Sequence, residues 1–334
     1  MSEIQEKVNQ SIMILQTSNS QKEKKTALKQ LDKMGMNAES ALPILMKIIN
    51  SREDFSVQSL AEQIVVNIGE PAIPYVQKLL NSIIKKKRLK GLGLLTDIAL
   101  VDRDTADSIV NLIEPIALHA LFYSTRLAAV ASLKKIISKY KNHQKTIELL
   151  GLLLRKERDI FVRHEVSQTI GEADGKTAVK EIVKAMERKS YPFYRLLSIE
   201  NRVEAANALY LVSAEHPKVI KETLPFLLEI LRKDPNPRMR ISVLVPLVFS
   251  GGWDVIEEIL DIIAKDRWGL VRMSALTTAD LLTHQKASKS KVNAILPLVK
   301  KIAREDREQY VRDAAQDFVE ELEEQLNEDE EEYN

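Results

Sequence analysis

The chain has 334 residues, with 49 lysines and arginines against 48 aspartates and glutamates, so its formal net charge is +1. Hydrophobic residues make up 45% and aromatic residues 5%, which favours an aliphatic core and excludes an intrinsically disordered chain. Cysteine is absent, which excludes disulfides and thiolate metal sites and leads us to expect a reducing, cytoplasmic location.

Neither a secretory leader nor a membrane span is expected. The first residues, Met1 to Lys7, are polar and lack the apolar stretch of a signal peptide. No apolar run approaches the ~18 residues that a membrane-spanning helix needs. We therefore expect a soluble protein without a membrane span.

One template recurs along the chain. A basic or amide residue is followed three positions later by a small or aliphatic residue and, four positions beyond that, by another apolar residue. The successive anchors are Lys24, Gln58, Arg88, Arg126, Arg163, Arg202, Arg240, Arg272 and Arg312. They lie between 30 and 40 residues apart, a period that indicates stacked helical hairpins with each anchor on the second helix.

Prolines and glycines mark the helix ends of these hairpins. The first helices carry a proline in an apolar run, at Pro43, Pro74, Pro115, Pro225 and Pro297. Proline is tolerated in the first turn of a helix, so we expect these helices to begin near it. Second helices are expected to end near Gly35, Gly69, Gly171 and Gly251, and Pro246 falls inside one of them.

In the later hairpins an aspartate precedes the anchor arginine by six residues. The pairs are Asp234 with Arg240, Asp266 with Arg272 and Asp306 with Arg312, and the residue before each arginine is Met239, Val271 or Val311. These features resemble the HEAT-repeat family over residues 20–322, most strongly from residue 141. The resemblance implies an all-α, right-handed α-solenoid of about nine hairpins. We expect one continuous domain over residues 1–322 and a disordered acidic tail over residues 323–334.

HEAT-repeat proteins, such as importin-β-like receptors and phosphatase scaffold subunits, usually present an extended curved surface to other macromolecules. The resemblance therefore implies a monomeric, non-catalytic scaffold or adaptor, without a cofactor, that binds a protein partner through its concave face. Second helices would line that face. The outward positions there would be Lys29, Gln63, Gln168, Asn207 and Thr277, which are polar but of mixed type and so indicate no particular ligand.

The arginines of the template allow two interpretations. They could form a basic ladder for phosphates or acidic peptides, or they could bond turn aspartates and carbonyl groups within the stack. Aspartates accompany the arginines, which favours the structural interpretation. The expected structural ladder comprises Arg163, Arg202, Arg240, Arg272, Arg312, Asp234, Asp266 and Asp306.

Two further segments are candidate contact sites. The densest basic run, Lys85, Lys86, Lys87, Arg88 and Lys90, could contact an anionic partner or form a solvated turn between the two helices of the third hairpin. The insert with Tyr191, Phe193, Tyr194 and Arg195 has the composition of a binding hot spot. Its aromatic rings could equally cover the core at the helix ends.

Nucleic-acid binding is the alternative function. Residues 320–334 hold nine acidic residues and no basic one, so residues 1–319 carry 49 basic against 39 acidic residues and a charge of +10. That surplus is spread evenly, which argues against one concentrated phosphate-binding patch. Base-repair chemistry like that of HEAT-like DNA glycosylases is part of this alternative.

We predict no catalytic, cofactor or metal site. The chain has a single His-Glu pair, His164 and Glu165, whereas HEAT-like di-iron hydroxylases use repeated pairs. No Ser/His/Asp or Cys/His set can be assigned either.

Overall fold

The fold was analysed in a computed structural model that describes residues 3–187, 195–284 and 289–331. Within these ranges the chain is built from α-helices and short 3-10 turns. Helices follow one another as antiparallel pairs, and each of the nine anchor positions lies near the start of the second helix of a pair. The fold class predicted from the 30–40-residue period, an all-α stack of hairpins, is therefore what the described residues form.

Contacts separate the chain into two compact units, Met1–Thr169 and Ile170–Asn334, where the sequence predicted one continuous domain over residues 1–322. The first unit contains α1 (Glu3–Thr17), α2 (Gln21–Met34), α3 (Leu42–Ile49), α4 (Phe55–Ile68), α5 (Ile73–Leu80), α6 (Lys85–Ala99), α7 (Arg103–His119), α8 (Tyr123–Lys139), α9 (Gln144–Lys156) and most of α10 (Ile160–Gly171).

The second unit begins within the last turn of α10. It contains α11 (Lys176–Met186), α12 (Arg195–Glu215), the short α13 (Pro217–Ile220), α14 (Leu224–Lys233), α15 (Pro237–Gly251), α16 (Ile256–Lys265), α17 (Gly269–Thr283), α18 (Lys289–Glu305) and α19 (Gln309–Glu331). In both units the second helices of neighbouring pairs pack on one another, as α6 does on α8 and α15 on α17, and each also packs on its own first helix.

The recurring template forms the core of the stack. The residues three and seven positions after each anchor are buried throughout, as illustrated by Ala27 and Leu31 in α2 and by Ala129 and Leu133 in α8, all 0% exposed. In α6 the small residue is Gly91, where a Cβ atom would lie 2.9 Å from Cβ of Leu79. Small residues in the template therefore let the two helices of a hairpin approach closely.

The predicted helix ends are confirmed in part. Pro43, Pro74 and Pro225 lie in the first turns of their helices, whereas Pro115 and Pro297 lie inside α7 and α18. The α7 helix begins earlier because the Asp102 side chain accepts a hydrogen bond from the backbone N–H of Thr105 and caps it.

Four of the second helices end at a glycine, as predicted, and at three of these ends a glycine has a positive φ angle. Gly35 and Gly69 have φ angles of 53° and 78°, a region that favours glycine because it has no Cβ atom. At the end of α15 the glycine with positive φ is Gly252, at 55°, and not the predicted Gly251, which has a φ of −106°. Gly171 is instead a position of close packing, where a Cβ atom would lie 2.7 Å from Leu211 Cδ1.

The last helix extends into the acidic segment. Leu322 is fully buried, and α19 then continues as helix up to Glu331, past the point where the sequence predicted a disordered tail. Glutamate, glutamine and leucine are good helix formers, which is consistent with this continuation. None of the described helices is long and apolar enough to cross a lipid bilayer.

Candidate partner-binding surface and the arginine ladder

In the second unit the anchor arginines connect consecutive hairpins. Arg240 donates from Nε and Nη2 to both carboxylate oxygens of Asp266, at 2.8 and 2.9 Å. Arg272 makes the same two-pronged contact with Asp306, at 2.7 and 2.6 Å. Arg202 donates from Nη2 to Asp234. Each carboxylate belongs to the turn of the next hairpin, so every pair joins two neighbours.

The remaining guanidinium nitrogen, Nη1, bonds the turn of the arginine's own hairpin. Nη1 of Arg240 donates to the carbonyl oxygen of Asp234 at 2.6 Å, and Nη1 of Arg272 donates to that of Asp266 at 2.8 Å. The side chains in the three pairs are between 4% and 8% exposed. Buried guanidinium and carboxylate groups need such full pairing because their desolvation is costly.

The turn aspartates also bond their own backbone. Asp266 accepts from the N–H of Trp268 at 2.8 Å, and Asp306 accepts from that of Glu308 at 2.9 Å. Burial works to raise the pKa of Asp306, but the hydrogen bonds from Arg272 and Glu308 outweigh it, and the pKa lies below its usual value. These hydrogen bonds therefore favour the ionised form of the Asp306 carboxylate.

Among the described residues, the other two arginines of the predicted ladder form no ion pair with the carboxylate of a turn aspartate. Arg163 donates from Nη1 to the carbonyl oxygens of Glu157 and Arg158, both at 3.4 Å, and its buried Nε has no hydrogen-bond partner among the described residues. Arg312, in the last hairpin, donates to the carbonyl oxygen of Asp306 and to the side chain of Gln309.

The first unit has a less regular version of the ladder. Lys24 pairs with Glu53, and Gln58 donates to the carbonyl oxygen of Ser51 at 2.9 Å. Only Arg126 makes the two-pronged contact, with Glu157 at 2.9 Å for both bonds. The sequence analysis missed Glu157, although it precedes Arg163 by six residues as the turn aspartates precede their arginines.

Arg88 differs from every paired arginine in the array. Its Nη1 donates to the carbonyl oxygens of Ser82 and Ile83, at 2.7 and 2.9 Å. Within the described ranges, no carboxylate forms an ion pair with it. The residue six positions before the next anchor is Ala120, so the turn of the following hairpin offers no acid.

The basic run forms the first turns of α6, not the inter-helix turn that the sequence suggested. Lys85 donates to Ser124 Oγ at 2.9 Å, and Lys90 pairs with Glu62 at 2.5 Å. Lys86 is exposed and Lys87 half-buried. The residue preceding the helix is Ile84, which provides no side-chain cap, so this helix start is unusually positive.

Large apolar side chains are exposed at the turns within successive hairpins of the first unit. We call them the turn-edge stripe: Phe55, Ile83, Ile84, Leu121, Phe122, Tyr123, Ile160 and Phe161. Ile83 is 95% exposed, Leu121 86% and Phe161 67%. The rings of Tyr123 and Phe161, on neighbouring hairpins, lie 6.4 Å apart between centroids, so the stripe is continuous there.

Among the described residues of the second unit, fewer such side chains are exposed at the turns, namely Trp268, Leu270 and Tyr310. Of the insert singled out in the sequence, Tyr191, Phe193 and Tyr194 lie outside the described residues. Arg195 is the first residue of α12, but its side chain is not described. The insert connects the two helices of a hairpin, which is the connection that carries the turn-edge stripe in the first unit.

The second-helix positions predicted to point outward are accessible. Lys29, Gln63, Asn207 and Thr277 are exposed, and Gln168 is half-buried.

One cluster of metal-ligand type was not anticipated. Asp280 lies in the last turn of α17 and His284 directly follows that helix. His284 Nε2 lies 2.9 Å from a carboxylate oxygen of Glu321 on α19. Burial and the neighbouring Asp280 raise the pKa of Glu321. Two carboxylates beside one histidine are common on protein surfaces, and the cluster alone does not indicate a metal.

Comparison with known proteins gives the fold and nothing finer. No protein-family model matches the chain, and no curated protein sequence matches it. Among solved structures, a mutant of Kap121p is similar with a TM-score of 0.62 and 12% identity, over 93% of this chain and 37% of that one. The karyopherin Kap121p bound to the SUMO protease Ulp1p is similar with a TM-score of 0.57 and 14% identity, over 94% and 37%.

An archaeal HEAT-like repeats protein from Thermococcus onnurineus NA1 also matches, with a TM-score of 0.43 and 14% identity, over 76% of this chain and 98% of that one. The chain spans just over a third, 37%, of the length of Kap121p. At these identities the likeness to Kap121p shows the fold alone. The chain is an all-α solenoid of HEAT-like hairpins, as the sequence predicted.

Proposed function

We propose that this solenoid is a non-catalytic adaptor that binds a protein partner, and that an acidic, apolar-bearing segment of the partner lies along the turn-edge stripe of the first unit. The observation that carries the proposal is the stripe itself, in which every hairpin turn from Phe55 to Phe161 exposes at least one large apolar side chain.

Single exposed apolar residues are ordinary on a protein surface, but a contiguous row of them marks an interaction site. Aromatic residues are enriched among the residues that dominate binding energy. Phe122, Tyr123 and Phe161 lie in the last two turns of the stripe, where the rings of Tyr123 and Phe161 are neighbours. A partner that covered these rings would remove most of that apolar area from water.

Charge beside the stripe favours an acidic partner. Lys85, Lys86 and Lys87 occupy the first turn of α6, where the helix dipole already carries a partial positive charge. Lysines at a helix start destabilise the free protein, and an acidic segment would relieve this repulsion. Electrostatic complementarity of this kind raises association rates and specificity more than affinity.

The fold of a solved neighbour supports a protein partner. Kap121p, which shares the fold, is bound to Nup53p in one of the matching structures and to Ulp1p in another. The outward residues of the second helices, such as Lys29 and Gln63, would extend the contact as the concave-face prediction requires. Because they are of mixed type, we assign the larger share of the binding energy to the stripe.

Nucleic acid is the second candidate partner, since the lysines at the start of α6 would suit phosphates as well as carboxylates. It would not explain the exposed apolar row, which a phosphate backbone cannot cover.

The test compares partner capture from an extract of the source organism by matched variants. We expect Phe122→Ser/Phe161→Ser to lose proteins that the unmodified chain retains, with an unchanged melting temperature because both rings are exposed. Met36→Ser/Val101→Ser is the control, since these residues are similarly exposed but lie at the connections between hairpins, away from the stripe.

Capture would be repeated after nuclease treatment and at raised salt. Proteins lost from the stripe variant and kept by the control, with or without nuclease, support the proposal. Equal capture by all three proteins would contradict it. Retention that nuclease abolishes and that falls steeply with salt would favour the nucleic-acid alternative.

A further inference from the structure

A cavity of about 460 Å³ lies between α5, α6, α7 and α8, and Arg88 is the only charged residue in its wall apart from a titratable histidine. We call it the Arg88 cavity. Apolar side chains form most of the wall, at Leu80, Leu112, Pro115, Ile116, Leu121 and Phe122. Its size is that of a small-ligand site, and no carboxylate lines it.

The cavity lies where the ladder lacks its carboxylate. Ala120 has φ and ψ angles of −60° and 131°, close to the −66° and 126° of Asp234 and the −62° and 135° of Asp266. Its carbonyl oxygen accepts from Nη1 of Arg126 at 2.9 Å, as that of Asp234 does from Arg240. Ala120 therefore occupies the position of a turn acid without providing one.

Arg88 is consequently left with an unused pair of donors. Its Nη1 is bonded to two carbonyl oxygens, while Nε and Nη2 form no hydrogen bond to any residue in the described ranges. In Arg126, Arg240 and Arg272 those same two donors hold a carboxylate. The geometry of the fork matches a carboxylate's two oxygens.

A second polar group in the wall is unsatisfied. Thr125 is 2% exposed, and its Oγ1 has no hydrogen-bond partner among the described residues. The corresponding residues before Arg163, Arg240, Arg272 and Arg312 are apolar and fully buried, namely Val162, Met239, Val271 and Val311. Asn201, before Arg202, is polar and buried as well, but its side chain is not among the buried groups without a partner. A buried hydroxyl without a partner is costly, so its presence at this one hairpin points to a ligand that bonds it.

We propose that the Arg88 cavity binds a carboxylate attached to an apolar body. The carboxylate takes the place of the missing turn acid on Nε and Nη2 of Arg88, the Thr125 hydroxyl donates to it, and the apolar body fills the space against Leu112 and Ile116. The acid is either a free organic acid or an acidic side chain beside an apolar residue of a partner. The cavity shares Leu121 and Phe122 with the turn-edge stripe, but the carboxylate selectivity proposed here rests on Arg88 and Thr125, which are not part of that stripe.

The test titrates the full chain by calorimetry and ligand-observed NMR. We expect 3-phenylpropionate to bind at least tenfold more tightly than 3-phenylpropionamide, which has the same shape without the charge. Arg88→Gln should abolish this preference, whereas Arg52→Gln, which removes an exposed arginine of the same unit, should retain it. An acetylated Phe-Glu amide against its Phe-Gln counterpart tests the partner-derived source.

Ala120→Asp adds a test by restoration. It should provide the missing turn acid, raise the melting temperature and displace 3-phenylpropionate, and the rise should disappear in the Arg88→Gln background. Equal binding of acid and amide, acid binding that survives Arg88→Gln, or unchanged acid binding in Ala120→Asp would each overturn the proposal. Binding of the free acid but not of the Glu dipeptide identifies a small-molecule site, and binding of both admits a partner's side chain.

Discussion

The two units have the same buried template but differ in the polar pairs that join neighbouring hairpins. The second unit repeats one arginine–aspartate pair at three successive junctions. The first unit has a lysine–glutamate pair, a glutamine, an arginine without an acid and an arginine–glutamate pair at its junctions. In both, the apolar template beneath is equally buried. The buried apolar template therefore specifies the hairpin stack. The ion pairs of the ladder can vary from one junction to the next without changing that stack.

The exposed surface follows the same division in part. Where the ladder is regular, a turn such as that of Asp234 and Asn236 is polar and self-capped. Where it is irregular, the turns expose Ile83, Leu121 and Phe122. At Ala120 the missing ladder acid and the exposed Leu121 and Phe122 occur in one turn. The turn of Glu157 keeps its acid and still exposes Phe161, so exposed apolar side chains are not confined to the irregular junctions.

The largest effect should come from breaking a complete pair. Arg272→Ala leaves the Asp306 carboxylate buried and without its partner, and we expect a loss of about 3–5 kcal/mol in the free energy of unfolding, measured with urea. The matched variant Arg88→Ala removes an arginine that has no carboxylate and should cost about 1 kcal/mol through its carbonyl bonds. Equal losses would show that the two regions do not differ as described.

A smaller, pH-dependent effect is expected from Asp306→Asn. The pKa of Asp306 is lowered in the folded state, so its charge contributes stability above the unfolded value near 3.8, and this contribution is lost as the pH falls through the folded pKa. The variant should be less stable than the parent at pH 7 and should approach it in acid. Urea titrations from pH 7 down to about pH 2 measure this, and a difference that stays constant with pH would contradict it.

The smallest expected effect is an increase in stability. Thr125→Val replaces a buried hydroxyl that lacks a partner and should raise the free energy of unfolding by about 1 kcal/mol. The control is Thr96→Val, because Thr96 is equally buried but its hydroxyl donates to the carbonyl oxygen of Leu92 at 2.7 Å. We expect no gain there. A stabilisation of both variants by the same amount would indicate simple hydrophobicity instead.

The sequence was sufficient for the fold because burial in each hairpin depends on one short spacing, which Arg126, Ala129 and Leu133 illustrate. It was insufficient for the candidate site. The absent acid at Ala120 could have been found by examining the sixth residue before every anchor, but the cavity beside it depends on how four helices pack. Exposed residues such as Phe122 are of the same types as core residues, and only their position on a turn distinguishes them from the core.

The ladder runs in one direction along the chain. Arg240 and Arg272 each need an acid that follows 26 or 34 residues later, whereas Asp266 and Asp306 bond their own backbone regardless of what precedes them. During synthesis each of these arginines therefore leaves the ribosome before the aspartate that will pair with it. A chain that ends between residues 240 and 266 would therefore have the Arg240 guanidinium without the carboxylate that pairs with it in the complete stack.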